Sequence, residues 1–238
     1  MKKDTRQTRA LTPEQRAKTI GPNLSFSAAE AYKLLRTNLG FSLPDQTGCK
    51  VIGITSSFSG EGKSTTSINL AYTMAQEDKR ILLLEADMRL PTMAKYLNIK
   101  SAPGLSNLLA GQCSGTDILQ RSGLAKNFWV ASAGDIPPNP AELLSSQQMA
   151  ATIETLKGFF DVIIVDLPPV TVVADGLILS KLADGMVLVV RQNYCSRSQV
   201  DEAVRKLQFT GSKLLGFVMT GSDIAKKGYS KTYYHKVD

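Results

Sequence analysis

Short aliphatic runs alternate with helix-periodic stretches along most of the chain. Val51–Thr55, Ile81–Glu85, Phe128–Ala131, Val162–Asp166, Met186–Arg191 and Leu214–Thr220 are predicted as strands. Most are rich in Val, Ile and Leu and show no polar alternation, as strands covered on both faces do. Between them, the periodicity predicts helices over 64–77, 91–97, 104–110, 140–157, 174–182 and 197–209. A further amphipathic helix is predicted over Ser27–Phe41, with Ala28, Tyr32, Leu35 and Leu39 on one face and Ser25 or Ser27 as its cap. This alternation implies an α/β fold, a mostly parallel β-sheet flanked by helices on both faces.

The chain has 238 residues, enough for one such domain. The expected division is a basic, flexible arm over 1–24, a folded domain over 25–221 and a flexible Tyr-rich tail over 222–238. Hydrophobic content of 43% and charged content of 21% are ordinary for a globular protein. The net charge of +7 is not spread evenly. Lys2, Lys3, Arg6, Arg9, Arg16 and Lys18 lie at the front, and Lys226, Lys227, Lys231 and Lys236 at the back. Such ends suit anionic lipid, nucleic acid or an acidic partner, or are simply solvated. Cys49, Cys113 and Cys195 are odd in number and widely spaced, which argues against a disulfide framework and fits a reducing compartment. His235 is the only histidine, which disfavours a His-based metal site or triad. No apolar run approaches the roughly 18 residues of a membrane span, and no secretory signal is present.

The strongest chemical signal is Gly60-Glu61-Gly62-Lys63-Ser64-Thr65, which follows the strand Val51–Thr55 and precedes a helix. Glycines there let backbone N–H groups turn onto phosphate oxygens, Lys63 reaches the β/γ-phosphates, and the Ser64 hydroxyl suits Mg²⁺. Ser57 stands where the strict pattern has its first glycine, so this is a variant P-loop. Two strand ends add carboxylates. Ile81–Glu85 runs into Glu85-Ala86-Asp87-Met88-Arg89, and Val162–Asp166 ends in Asp166 before Leu167-Pro168-Pro169. In open α/β sheets ligands sit at the carboxyl ends of strands, so Glu85, Asp87 and Asp166 are expected to share the P-loop's crevice. Together these groups supply what phosphoryl transfer needs. The candidate nucleotide-binding set is Ser59, Gly60, Glu61, Gly62, Lys63, Ser64, Thr65 and Arg89. The candidate Mg²⁺ set is Ser64, Asp87 and Asp166, and the candidate catalytic set is Lys63, Glu85, Asp87 and Asp166. Arg89 either holds the acid pair, contacts phosphate or makes a structural ion pair.

This triplet resembles the deviant Walker P-loop ATPases and, more closely, the bacterial tyrosine kinases of Gram-positive capsule and exopolysaccharide operons. The resemblance spans nearly the whole chain. Glu61–Thr65, Glu85–Pro91 and Val165–Pro169 are similar to that family's Walker A, A′ and B segments. Gly134-Asp135-Ile136-Pro137-Pro138-Asn139-Pro140-Ala141-Glu142-Leu143-Leu144 is similar to a stretch of these kinases. Glu30, Lys33 and Arg36 resemble the family's oligomer-contact motif, and Tyr229, Tyr233 and Tyr234 its autophosphorylated tyrosine cluster. The resemblance implies an ATP- and Mg²⁺-dependent protein-tyrosine kinase that phosphorylates its own tail in trans within a ring-shaped homo-oligomer. It also implies a role in polysaccharide synthesis and export, a membrane-spanning modulator that recruits the cytoplasmic kinase to the membrane, a cognate tyrosine phosphatase and other protein substrates. No nucleic-acid partner is expected.

Three positions depart from that pattern, and a fourth departs from the partition ATPases. Glu85 replaces an aspartate implied to activate the acceptor hydroxyl, and Lys33 replaces an arginine. Thr220 stands where relatives often carry an asparagine near the base. Phe58 stands where partition ATPases carry a signature lysine, which disfavours that class. The rival readings are a positioning ATPase without tyrosine kinase activity and a nucleotide-gated assembly subunit whose catalysis has lapsed.

Overall fold

The computed structural model describes residues 19–43 and 48–222. Residues 1–18 and 223–238, with Tyr229, Tyr233 and Tyr234, lie outside the described residues. In chain order the elements are α1 (Phe26–Ser42), β1 (Lys50–Ser56), α2 (Lys63–Ala75), β2 (Ile81–Glu85), α3 (Met93–Leu97) and α4 (Leu105–Leu109). They continue with β3 (Leu119–Arg121), β4 (Phe128–Ala131), α5 (Pro140–Ser145), α6 (Gln147–Lys157), β5 (Val162–Asp166), α7 (Asp175–Ser180), β6 (Gly185–Arg191), α8 (Arg197–Phe209) and β7 (Leu214–Thr220).

The strands form one sheet in the order β3-β4-β2-β5-β1-β6-β7. All pairings are parallel except β3 with β4. Alternate side chains feed two separate cores. Leu82, Leu84, Ile163, Val165, Met186 and Leu188 face Leu105, Leu144, Ile153, Leu179 and Leu207 of the helices on one side. Ile52, Ile54, Ile81, Leu83, Ile164, Val187 and Val189 face Leu39, Ile68, Leu70, Met74 and Met93 on the other. Both faces of the central strands are therefore apolar, which is why they read as unbroken hydrophobic runs.

The register fixes the site. Glu85 pairs with Asp166 across β2 and β5, and Ile54 pairs with Asp166 across β1 and β5. Because β2, β5 and β1 are neighbours, the two acidic strand ends and the loop after β1 emerge side by side.

Three departures from expectation have local causes. β3 is a three-residue antiparallel edge strand, Leu-Gln-Arg, too short and polar to leave a pattern. The helix expected over 140–157 is two helices broken at Ser146, which is extended (φ −71°, ψ 156°) and caps α6 by accepting from the Met149 N–H. The last residues assigned to the arm are folded: a 3₁₀ turn spans Gly21–Asn23 and Ile20 is buried. Asn69 of α2 holds that turn, accepting from the Gly21 N–H (2.9 Å) and donating to the Thr19 carbonyl (3.1 Å). For α1, Ser25 is the cap.

Candidate active site

The P-loop is shaped by two glycines. Gly60 and Gly62 have φ of +89° and +95°, where a side chain would be strained. Gly62 is also the N-cap of α2 and offers no side chain to the helix start. Thr66 is the first helix residue whose N–H is taken, by the Gly62 carbonyl (2.9 Å). The preceding helix N–H groups therefore have no intrahelical acceptor and can face an anion, and the helix dipole adds to that preference.

Lys63 is almost fully buried and donates to Asp87 Oδ2 at 2.7 Å, with Asp166 Oδ2 at 3.8 Å. Burial opposes its charge, but Asp166 and Asp87 outweigh that and raise its pKa above the ordinary lysine value. Asp166 is wholly buried and accepts from Ser64 Oγ (2.7 Å) and Ser67 Oγ (2.9 Å). Burial raises its pKa, while Lys63 and the two hydroxyls pull it down. Asp87 Oδ1 accepts from the Leu90 N–H (3.1 Å), which fixes the turn after β2.

One cation thus faces several buried carboxylates, and the cluster leans negative. No group of three or more His, Cys, Asp or Glu with metal-holding geometry occurs among the described residues. Mg²⁺ does not need one, because it is commonly held by one or two carboxylates plus substrate phosphates. The all-oxygen set of Ser64, Asp166 and Asp87 fits that ion.

Glu85 is held by backbone donors. One carboxylate oxygen accepts from the Thr92 and Met93 N–H groups at the start of α3, the second bond at 2.8 Å. The other accepts from the Ala133 N–H at the exit of β4 (3.1 Å). Burial pushes its pKa up to about 7 against the opposing pull of those three donors. It forms one wall of a cavity of about 280 Å³ that Pro91, Thr92, Tyr96, Ser132 and Gly134 also line. Its carboxylate is therefore spent on backbone.

Arg89 makes neither a phosphate-directed nor an acid-pair contact. Its guanidinium grips buried Asp175 of α7 through two bonds of 2.8 and 3.1 Å, and Asp175 raises its pKa. Of the sequence alternatives the structural ion pair is the one present, because Asp175 has no exposure and needs a counter-charge. Among the oligomer-contact candidates, Glu30 and Lys33 pair with each other (2.7 Å). Arg36 turns inward to the Thr73 carbonyl (2.8 Å) and Glu77 (2.9 Å), clamping α1 onto the end of α2.

Ser67, Arg191 and Cys195 escaped sequence reasoning as site residues, while the loop residues were named by it. Ser67 lies three residues beyond Ser64, so helix periodicity could have placed both hydroxyls on Asp166. Glu61, buried inside the loop, accepts from the Phe58 N–H (2.8 Å), the Arg191 N–H (3.2 Å) and the Cys195 thiol (3.0 Å). Burial and Glu61 push Cys195 up to about 12, which keeps it a neutral donor. Arg191 ends β6, a strand-end position of the kind that flagged Asp166. Thr220 donates to the Glu61 carbonyl (2.6 Å) and packs over Gly62. Ser57 is buried with its hydroxyl unpartnered. Ser59 and Gly60 are exposed at the loop tip, and Thr65 is half-buried in the first turn of α2.

A sheet of this order with a glycine loop after β1, a buried lysine and acids at neighbouring strand ends defines a P-loop ATPase. The description "AAA domain" matches residues 49–214. The tyrosine-protein kinase YwqD of Bacillus subtilis (strain 168) is 40% identical over 198 residues, covering 83% of each chain. The kinase domain of the Escherichia coli tyrosine kinase ETK superposes with a TM-score of 0.80 at 29% identity, over 97% of this chain and 90% of that one. The chimerical protein CapA2B2 superposes with a TM-score of 0.79 at 33% identity, over 86% and 88%. The chain belongs to the bacterial tyrosine-protein kinases. No helix among the described residues is long and apolar enough to cross a membrane.

Proposed function

We propose that this protein transfers the γ-phosphoryl group of ATP to protein tyrosine. The observation that carries this reading is the buried Lys63–Asp87 pair beside Ser64 and Asp166, at the start of a helix whose first N–H groups have no intrahelical acceptor. In this state Lys63 is parked on Asp87. Incoming phosphates compete for the ammonium, and as Lys63 turns to them Asp87 is released. Mg²⁺, when bound, neutralises charge on the phosphates, and Ser64, Asp166 and Asp87 are the groups that would hold it. Asp87 then accepts the proton of the acceptor phenol as its oxygen attacks phosphorus. Glu85 is unsuited to that task because three backbone donors occupy it. Catalysis is positioning plus charge stabilisation.

The natural acceptors in this reading are Tyr229, Tyr233 and Tyr234 of a neighbouring copy in a homo-oligomeric ring. Each phosphate adds about −1.5 to −2 charge, so modified tails repel and loosen the ring. A membrane-spanning modulator recruits and activates the kinase, a cognate phosphatase resets it, and the cycle regulates polysaccharide synthesis and export. The support is family membership and the match to CapA2B2. The test mixes Lys63→Met protein with a Tyr229/Tyr233/Tyr234→Phe variant in Mg-ATP, with and without the modulator's cytoplasmic segment. Phosphotyrosine on the tail peptide of the Lys63→Met chain supports transfer in trans to the tail. A Lys63→Met tail left unmodified while the mixture turns over ATP would contradict it.

A further inference from the structure

The turn between β6 and α8 closes over the phosphate-binding loop through side chains that no step above uses. Asn193 takes φ of +57° there and presents Tyr194 to the loop. The Tyr194 hydroxyl donates to the Ser59 carbonyl at 2.9 Å. The Arg191 guanidinium lies 5.4 Å from the Tyr194 ring centroid and donates to the Gly60 carbonyl at 3.2 Å. Two consecutive P-loop carbonyls are thus latched by one tyrosine and one arginine. Of the described tyrosines, Tyr32, Tyr72 and Tyr96 are partly buried, whereas Tyr194 is 52% exposed. A phenol that is both accessible and tied to the nucleotide loop, in a tyrosine kinase, is placed to be modified with consequence.

We infer that Tyr194 is a phosphorylation site, filled by a second copy of this chain, whose phosphate unlatches the P-loop and weakens nucleotide binding. This rests on the kinase reading above. ATP is the donor that activity supplies. The Tyr194 oxygen forms a bond to the γ-phosphorus, the bond from phosphorus to the ADP oxygen breaks, and the phenolic proton passes to a carboxylate of the second copy's site. The esterified oxygen can no longer donate to Ser59. A dianion would then sit against a carbonyl and beside the loop that must hold a triphosphate. Arg191, already over the ring, pairs with the new phosphate at the expense of the Gly60 carbonyl, since charge-assisted bonds are the stronger ones. Glu61 keeps its backbone and thiol donors, so the loop loosens at its tip and stays anchored at its base.

Trypsin cuts after Arg191 and Arg197, giving Gln192–Arg197 with Tyr194 as its only tyrosine. Isotope-labelled Lys63→Met chain is incubated with unlabelled wild type and Mg-ATP, and that peptide is sequenced by mass spectrometry. Phosphate on Tyr194 of the labelled chain is expected. Against unmodified wild type, fluorescent ADP should bind the Tyr194-phosphorylated fraction of wild type, and a Tyr194→Glu variant, roughly tenfold or more weakly, about 1.4 kcal/mol. An unmodified peptide in a sample carrying phosphotyrosine elsewhere would overturn the inference while sparing the kinase reading. A modified peptide with unchanged ADP affinity would overturn the unlatching. Absence of phosphotyrosine anywhere would remove the kinase reading and this inference together.

Discussion

At the scale of single residues, Glu85 and Asp87 separate two roles that the sequence left joined. Both carboxylates were legible as neighbours of the P-loop, because a buried strand that ends in acids beside it brings them to the same edge of the sheet. Their division of labour was not. It depends on where the Thr92, Met93 and Ala133 N–H groups fall, and that is set by tertiary packing. Glu85→Ala should strand those donors at a cost of about 2–4 kcal/mol. That corresponds to a fall in Tm of about 5–10 °C, read by calorimetry. Glu85→Gln keeps one good acceptor and should hold phosphotransfer per folded molecule within about tenfold of wild type. Asp87→Asn should cut turnover by about 10²–10³-fold, with ADP binding changed only a few-fold. A stable Glu85→Gln protein with no turnover would reverse the assignment. The same blindness applied to Arg89: the sequence showed a cation near phosphate chemistry, and only the fold revealed buried Asp175 waiting for it.

At the scale of elements, the central strands were legible to within a residue because burial on both faces makes them continuous and aliphatic. β3 was not, since three residues at an edge carry no period. The break at Ser146 was hidden because an N-cap serine and an interior serine look alike until the helix axis turns. The Arg89–Asp175 pair joins the turn after β2 to α7, and so acts on elements more than on chemistry. Arg89→Gln should cost about 1–2 kcal/mol after allowance for its solvent exposure, seen as a shift in the urea midpoint. ADP affinity should stay within about twofold, whereas a phosphate ligand would lose far more on that change. Gly62→Ala forces a side chain into φ +95° at the start of α2. It should cost about 1–2 kcal/mol and weaken ADP binding together with stability.

At the scale of the whole molecule, strand order brings the chemistry together. β2, β5 and β1 are adjacent, so residues distant in sequence, Lys63, Asp87 and Asp166, meet within ion-pairing reach. The order was expected only as a parallel sheet, and the motifs implied the neighbourhood. The latch of β6 and β7 residues over Glu61 and the loop tip was legible only as strand-end positions, Arg191 and Thr220, and not as contacts, because those depend on strands on the far side of β1. Removal of Mg²⁺ with EDTA should abolish transfer while leaving the fold's Tm unchanged within about 2 °C, since Lys63 already neutralises part of the buried acid. The central claim is that this one centre makes phosphotyrosine. The most direct test is phosphotyrosine formed by purified protein in Mg-ATP, measured beside total ATP turnover, for wild type and Lys63→Met. The account predicts phosphotyrosine that depends on Lys63. ATP hydrolysis that depends on Lys63 with no phosphotyrosine, even with the modulator segment present, would contradict it.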